Sequence, residues 1–239
     1  MESNLPTALI TGASRRIGAA IATHLHQAGF RVLIHCHQSL DSALALARTL
    51  NEKRLTSASV LSADLSVKGS ALDLIHHTMD WAGRLDVLVN NASIFSRHEA
   101  DWDPMFIVNV KTPFWLSYAA YPYLVKTQGT IINITDIHAK TPLKGYAMYC
   151  QTKAALAMQT KALAREFAPN VRVNAVAPGA MVWPTGDNGL SKEQQRAIVA
   201  KTALQRHGDP RFIAKAVFAL VDNPFITGQS LDVDGGRYI

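Results

Sequence analysis

The chain has 239 residues, 48% of them hydrophobic and 18% charged, a composition that excludes an intrinsically disordered protein and fits one domain over residues 1–239. Two cysteines are too few for a disulfide framework, the N-terminus lacks a signal-peptide pattern, and no apolar run approaches the roughly 20 residues of a membrane span, so we expect a soluble cytoplasmic protein. The formal net charge of +6 is dispersed, which argues against a nucleic-acid partner and favours a phosphate-bearing small ligand.

Short apolar runs alternate with helical patterns along the whole chain. The runs predict buried strands at Thr7–Thr11, Arg31–Cys36, Ala58–Ser62, Asp86–Asn90, Thr130–Thr135, Val171–Ala177 and Ser230–Val233. The helical patterns lie at 17–25, 44–50, Ala71–Trp81, Met105–Tyr121, Tyr149–Phe167, Lys192–Thr202 and Pro210–Val221. This alternation predicts an α/β fold: a doubly wound Rossmann-type parallel sheet of about seven strands, with its ligand at the carboxyl ends of the strands.

A glycine turn connects the first predicted strand to the first predicted helix. It reads TGASRRIG, and Gly12 and Gly18 permit a tight turn with close approach of a pyrophosphate to the helix N-terminus. A simple turn with a surface basic pair is the alternative. The candidate cofactor residues here are Gly12, Arg15, Arg16 and Ile17.

The segment after the second strand bears on the choice of dinucleotide. A carboxylate at this place normally binds the ribose hydroxyls of NAD, but no acidic residue occurs before Asp41. His37, Gln38 and Ser39 stand there instead, and with Arg15 they supply donors and charge for the 2′-phosphate of NADPH. Alternatively, His37 is a solvated loop histidine.

The third and fourth strands also end in candidate cofactor residues. Asp64, followed by Leu65, can accept a hydrogen bond from the adenine amino group. Asn91 and Ala92 can lie along the adenosine ribose and pin the loop. Asparagine turns are common in proteins, so neither segment by itself indicates a cofactor site.

Tyr149 and Lys153 are spaced four residues apart near the start of a predicted helix, so they share a face. A nearby ammonium stabilises phenolate and lowers the tyrosine pKa toward proton transfer near neutrality. A core tyrosine beside a solvated lysine is the alternative.

Together these motifs resemble the short-chain dehydrogenase/reductase family over nearly the whole chain. The resemblance implies that Tyr149 is the acid/base, that Lys153 binds the nicotinamide ribose, and that Asn109 supports a proton-relay water. It also implies a homotetramer assembled through the helices predicted at Met105–Tyr121 and Tyr149–Phe167. The motifs that carry it are the glycine turn, Asn90-Asn91-Ala92, Asn109, Tyr149-x-x-x-Lys153, Pro178-Gly179, Thr227-Gly228-Gln229 and Asp234-Gly235-Gly236.

Two residues depart from the usual pattern of that family. Arg16 stands where the family normally has a third glycine, and Asp136 stands where it has a serine that stabilises the substrate oxyanion. A carboxylate repels an oxyanion, so Asp136 favours a substrate whose ring nitrogen gains a proton shared with Tyr149. In the alternative, Thr135 replaces the serine and Asp136 caps a loop.

Both departures resemble the pteridine reductases of the family, as do Ser93 and Phe95 after the Asn-Asn-Ala motif. The resemblance implies that Phe95 stacks on the pterin, while Arg16 and Ser93 contact pterin or cofactor phosphate. His35-x-His37-x-Ser39 is similar to their 2′-phosphate segment, although some members have arginine at the position of Gln38.

Together, these motifs and the resemblance predict an NADPH-dependent pteridine reductase. It would transfer hydride to a C=N bond of a dihydropterin, an oxidised pterin or dihydrofolate, with no metal. A short-chain reductase of another carbonyl or imine and a catalytically silent NADPH-binding regulatory protein are the alternatives. The loop after Pro178-Gly179 would cover the substrate, and the candidate substrate residues are Arg16, Ser93, Phe95, Asp136, Tyr149, Met181 and Trp183.

Overall fold

Seven parallel strands form one sheet in the computed structural model, which describes residues 5–239. The strand order is β3-β2-β1-β4-β5-β6-β7, which confirms the predicted doubly wound α/β sheet. The strands are β1 (Thr7–Ile10), β2 (Arg31–Cys36), β3 (Ala58–Ser62), β4 (Val87–Asn90), β5 (Thr130–Ile134), β6 (Arg172–Pro178) and β7 (Ser230–Val233).

Helices cover both faces of this sheet. None of those in the described chain has the length and apolarity that crossing a lipid bilayer requires. The α-helices are α1 (Arg16–Gln27), α2 (Leu40–Lys53), α3 (Ser70–Ala82), α4 (Trp102–Phe106), α5 (Thr112–Thr127), α6 (Ala147–Glu166), α7 (Lys192–Ala200) and α8 (Pro210–Asp222).

The helix predicted over Met105–Tyr121 contains a π turn that the pattern did not predict. The chain is helical from Trp102 to Thr127, and the π-helical turn at Ile107–Lys111 lies between α4 and α5. Asn109 lies in this turn, where its amide nitrogen donates to the Ile94 carbonyl at 2.9 Å and to Thr152 Oγ1 at 3.0 Å. Its amide oxygen accepts from the Ile94 N–H at 2.8 Å. Such π turns occur mainly at functional sites, and this one ties the helix to the loop after β4.

Alternating side chains of the strands fill two apolar layers. Ile10 and Ile34 pack beneath α1, α2 and α8, whereas Leu9 and Leu33 pack on the opposite face beneath α3, α5 and α6. A parallel sheet covered on both faces requires continuous apolar runs, which is why the strands were recognisable in the sequence. The carboxyl ends of all seven strands share one edge, and the candidate site lies there.

Candidate active site

The glycine turn leaves no room for side chains. Gly12 has φ +61°, and a Cβ on it would lie 2.9 Å from the Cα of Ala92. A Cβ on Gly18 would lie 2.3 Å from the Gly12 carbonyl oxygen. Ile17 packs against the core beneath the turn. The exposed backbone at the start of α1 therefore fits a pyrophosphate, because helix N-terminal amides bind anions.

Asn91 fixes this turn to the end of β4. Its amide nitrogen donates to the carbonyls of Thr11 at 2.8 Å and Gly12 at 3.0 Å. The Thr11 hydroxyl oxygen accepts from the backbone N–H groups of Asn91 and Ala92 at 2.9 and 3.0 Å. Four hydrogen bonds thus hold the two loops in one arrangement before any cofactor arrives.

His35 is a supporting residue whose role the sequence did not reveal. The Gly12 N–H donates to its Nδ1 at 3.1 Å, and its Nε2–H donates to the Ala63 carbonyl at 3.0 Å. The contact from Gly12 needs the neutral ring, because a protonated Nδ1 cannot accept, and burial lowers the pKa of His35 to about 4. His35 belongs to the pattern that resembles a 2′-phosphate segment, but its own ring faces the glycine turn. The predicted burial of β2 was the one sequence feature that indicated a supporting role.

Stability should therefore fall on mild acidification. The unfolded His35 binds a proton below its ordinary pKa of 6.5, while the folded ring stays neutral to about 4, so its contribution is complete above pH 6.5 and is lost as pH falls toward 4. Between about pH 7 and pH 5 we expect a loss of about 2 kcal/mol from this residue, measured by denaturant unfolding. His35→Gln should flatten that slope, and the exposed control His37→Gln should keep it; equal slopes in both variants would contradict the assignment.

Arg16 connects the glycine turn to the loop after β6. Its backbone has φ 54°, in the left-handed region that a glycine adopts without strain. For another residue this conformation costs about 1 kcal/mol of free energy. Its guanidinium donates to the carbonyls of Trp183 at 2.9 Å and Val182 at 3.3 Å. We expected Arg16 to contact pterin or phosphate, but within the chain its bonds go to this loop.

A basic and hydroxyl-bearing cluster forms at the end of β2. The Arg15 guanidinium donates to the Ser39 hydroxyl oxygen, and Gln38 is exposed beside them. His37 Nε2 lies 3.7 Å from Asp64 Oδ2, and both side chains are partly open to solvent. The cluster presents donors and positive charge to a group bound at the outer edge of the glycine turn.

The segment after β3 is held from inside the fold. Asp64 Oδ1 accepts from the Ser66 N–H at 2.9 Å and the Ser66 hydroxyl at 2.7 Å, which lowers the pKa of this carboxyl. The carbonyl of the buried Leu65 accepts from the Thr112 hydroxyl at 2.7 Å. The second oxygen of Asp64 faces the His37 ring and is partly open to solvent.

Asp136 and Tyr149 form the centre of the site. The Tyr149 hydroxyl donates to Asp136 Oδ2 at 2.9 Å, while Oδ1 accepts from the His138 N–H at 2.8 Å. Asp136 therefore caps the turn after β5 with one oxygen and accepts a hydrogen bond from Tyr149 with the other. Thr135 does not replace it, because the buried Thr135 hydroxyl donates to the Val176 carbonyl at 3.1 Å.

Burial controls the protonation of the two neighbouring groups. It raises the pKa of Tyr149 well above its ordinary value, and the Asp136 carboxylate raises it further. The prediction that Lys153 lowers this pKa is therefore wrong, because burial and the nearby carboxylate both disfavour the phenolate. Burial also lowers the pKa of Lys153 to about 8, with the Asp136 charge opposing the shift. The Lys153 ammonium donates to the Ile134 carbonyl at 3.0 Å and lies 5.7 Å from the centre of the Tyr149 ring.

Phe95 lies in an aromatic cluster that the motifs did not predict in full. Its ring stacks on Tyr146 at 4.5 Å with a 6° interplanar angle and meets Tyr149 edge-on at 4.7 Å. The Tyr146 hydroxyl donates to Asn188 Oδ1 at 2.8 Å, and Asn188 Nδ2 donates to the Phe95 carbonyl at 3.0 Å. Tyr146 covers one face of Phe95; Ser93 lies exposed two residues earlier.

The loop after β6 begins at Pro178 and Gly179, where a Cβ on Gly179 would lie 2.7 Å from the Asp234 Cα. The Met181 side chain is buried against Gly208 and anchors the loop, and its contact with the substrate stays a prediction. Trp183 is partly exposed, and its ring lies 4.3 Å from the His207 ring.

Comparison with known proteins agrees with this geometry. A family model described as enoyl-(acyl carrier protein) reductase matches residues 12–237. The chain belongs to the short-chain dehydrogenase/reductase family. It is an NAD(P)-dependent reductase of that family, which confirms the coarser part of the sequence interpretation.

Two curated relatives and one solved structure illustrate the match. The 3-oxoacyl-[acyl-carrier-protein] reductase FabG of Staphylococcus epidermidis is 34% identical over 98% of this chain and 99% of its own. The granaticin polyketide synthase putative ketoacyl reductase 2 of Streptomyces violaceoruber is 32% identical over 98% of this chain and 96% of its own. A blue fluorescent protein from a metagenomic library, solved in complex with NADPH, superposes with TM-score 0.91 at 31% identity over 100% of both chains.

Proposed function

We propose that this short-chain reductase uses NADPH to reduce a C=N bond of a pterin ring, with dihydropterin as the first substrate to test. The observation that carries the proposal is the hydrogen bond from Tyr149 to Asp136, a carboxylate at the position where the family usually has a serine. This pair suits a reaction that ends with a proton on nitrogen.

The proton balance explains the preference. Reduction adds a hydride to carbon and a proton to nitrogen, and the pair supplies that proton. Because the pKa of Tyr149 is raised, a free phenolate beside Asp136 is unfavourable. Tyr149 therefore donates its proton to the substrate nitrogen, and a proton that reaches the Asp136 carboxylate from solvent then passes to Tyr149, so that the negative charge remains on the carboxylate.

The residues at the glycine turn fit NADPH. When bound, the cofactor supplies the hydride. Its pyrophosphate would lie on the backbone amides at the start of α1, and Arg15 with Ser39 and His37 would bind the 2′-phosphate. Lys153 would bind the nicotinamide ribose. The further proposed cofactor contacts are Arg16, Ile17, Gln38, Asp64, Leu65, Asn91, Ala92, Ser93, Pro178 and Gly179.

The substrate face is built around Phe95. One face of its ring is occupied by Tyr146, so a pterin would stack on the other face, at right angles to the Tyr149 ring. Asn109 supports this platform through both backbone groups of Ile94. Since its amide hydrogens are both used, Asn109 serves by positioning this loop rather than by holding a relay water through its side chain.

A second candidate is reduction of a 3-oxoacyl thioester, and the names of the two curated relatives favour it. In that reaction, negative charge develops on the carbonyl oxygen next to Tyr149 as the hydride is added. The carboxylate of Asp136 would repel that charge, whereas a serine would stabilise it. The two candidates therefore differ in what Asp136 must do.

The deciding experiment measures NADPH oxidation with a dihydropterin and with a 3-oxoacyl thioester under the same conditions. We expect kcat/KM for the dihydropterin to be the larger by at least about tenfold, which corresponds to about 1.4 kcal/mol of transition-state stabilisation. Turnover of the thioester with an inert pterin would overturn the proposal and leave the ketoacyl candidate.

We also propose that the protein is a homotetramer. Phe114, Trp115 and Tyr118 on α5 and Met158 on α6 are exposed large apolar side chains, and Met158 is 64% exposed. Such a patch on a folded surface normally marks an interface. Light scattering should give four times the mass of the chain, and Trp115→Glu should lower it; a monomer in the wild type would refute this assembly.

A further inference from the structure

A second cleft opens beside the loop after β6. Its volume is about 570 Å³, within the range of small-ligand pockets. Its wall is formed by Trp183 from the loop, by one face of α7 and by His207. The lining residues in the described chain include no carboxylate.

Positive charge and hydrogen-bond donors converge on this cleft. Lys192 and Arg196 are four residues apart on α7, so they project from the same side of the helix. Both are exposed, and neither pairs with a carboxylate in residues 5–239. A divalent or bidentate anion between them would meet two cations without displacing an existing partner.

His207 provides an independent indication. Its Nε2 atom is buried and has no hydrogen-bond partner among the described residues. Leaving a buried polar atom unpaired costs about 1–3 kcal/mol, and because this atom is closed to solvent, a ligand would reach it only after a side chain in the cleft wall turns aside. The ring of Trp183 lies against His207 at 4.3 Å and supplies a flat apolar surface next to it.

The loop after β6 links the cleft to the glycine turn. Trp183 belongs to this loop and lines the cleft, and Arg16 holds the Trp183 carbonyl at 2.9 Å. The proposed NADPH phosphate sites lie at the ends of β1 and β2, whereas all residues that line the cleft follow β6 in the chain.

We infer that this cleft is a subsite for the anionic tail of the substrate, with Lys192, Arg196 and His207 binding a phosphate or carboxylate and Trp183 packing on the linker. The inference rests on the proposed reductase function only in placing the reacting head group at Asp136 and Tyr149. The same tail chemistry occurs in a glutamyl carboxylate of a folate and in a phosphate of an acyl thioester.

The test compares tailed and tailless substrates that share a head group. Dihydrofolate is paired with dihydrobiopterin, and acetoacetyl coenzyme A is paired with acetoacetyl pantetheine. For each pair, the tail preference is the ratio of the two kcat/KM values. In the variant Lys192→Gln/Arg196→Gln, we expect this ratio to fall about tenfold for the head group that the enzyme reduces, as two exposed charge contacts predict.

The matched control is Lys201→Gln/Lys215→Gln, which removes the same charge from exposed positions outside the cleft. It should keep the wild-type ratio. A ratio that is equal in the wild type and the cleft variant would overturn the subsite, as would an equal fall in both double variants, which would indicate general charge steering.

The pair of substrates that responds identifies the source of the anion. Inert pterins with a responding acetoacetyl pair would refute the proposed function but support the subsite. Binding of folate and of coenzyme A to the NADP⁺-loaded protein by equilibrium dialysis gives a readout that does not need turnover. If folate and coenzyme A use this subsite, the affinity of the cleft variant for each should be at most one tenth of the wild-type affinity. Equal affinities of the two proteins for both ligands would overturn the subsite.

Discussion

Tyr149→Phe is expected to lower kcat for pterin reduction by about 10²- to 10⁴-fold, the usual effect of removing a general acid. The variant loses only the hydroxyl that donates to Asp136, and the phenyl ring keeps its edge-on contact with Phe95. NADPH affinity, measured by fluorescence titration, should change by less than about threefold because this hydroxyl serves proton transfer.

Tyr123→Phe is the matched control, since Tyr123 lies on α5 with its ring near Lys126 and outside the site. It should keep wild-type kcat. A Tyr149→Phe enzyme with more than about one tenth of wild-type kcat would show that another group delivers the proton.

Asp136→Ser should reverse the substrate preference. Without the carboxylate, Tyr149 has no partner that can replace its proton, so kcat/KM for the dihydropterin should fall roughly 100-fold. The serine hydroxyl would instead donate to a developing oxyanion, and reduction of a 3-oxoacyl thioester should rise by about tenfold or more. Both rates come from NADPH oxidation with saturating cofactor.

Asp136→Asn separates the two effects. Its amide keeps the size of the side chain and an oxygen that can accept from the His138 N–H, but it cannot lend a proton. We expect this variant to lose pterin reduction as the serine variant does. Retained pterin reduction in Asp136→Asn would refute the shared proton.

Local patterns were sufficient for the strands and for the acid/base residues. The run from Thr7 to Ile10 is apolar because both of its faces are buried, and this continuous apolarity is visible in the sequence. Tyr149 and Lys153 were visible because one helix fixes their spacing. In both cases the relevant interaction lies within one element.

Contacts between distant segments were not predictable in this way. The bond from Arg16 to Trp183 spans 167 residues, and the stack of Phe95 on Tyr146 joins two loops with no shared motif. His35 was placed in a predicted strand, but its contact with the glycine turn could not be predicted because burial of its ring depends on β1 and β3 on either side. Asn109 was identified, but the π turn around it depends on bonds to Ile94 and Thr152.

The strand order also determines when the protein can fold during its synthesis. Strand β1 is central, and its Thr7 N–H donates to Asp86, 79 residues further along the chain. Such non-local pairing makes folding slow. The edge of β6 is covered by Ser230–Val233, so a nascent chain exposes that edge until these residues have left the ribosome. Unpaired strand edges promote aggregation, and chaperones that bind extended apolar segments would therefore act on this protein before β7 emerges.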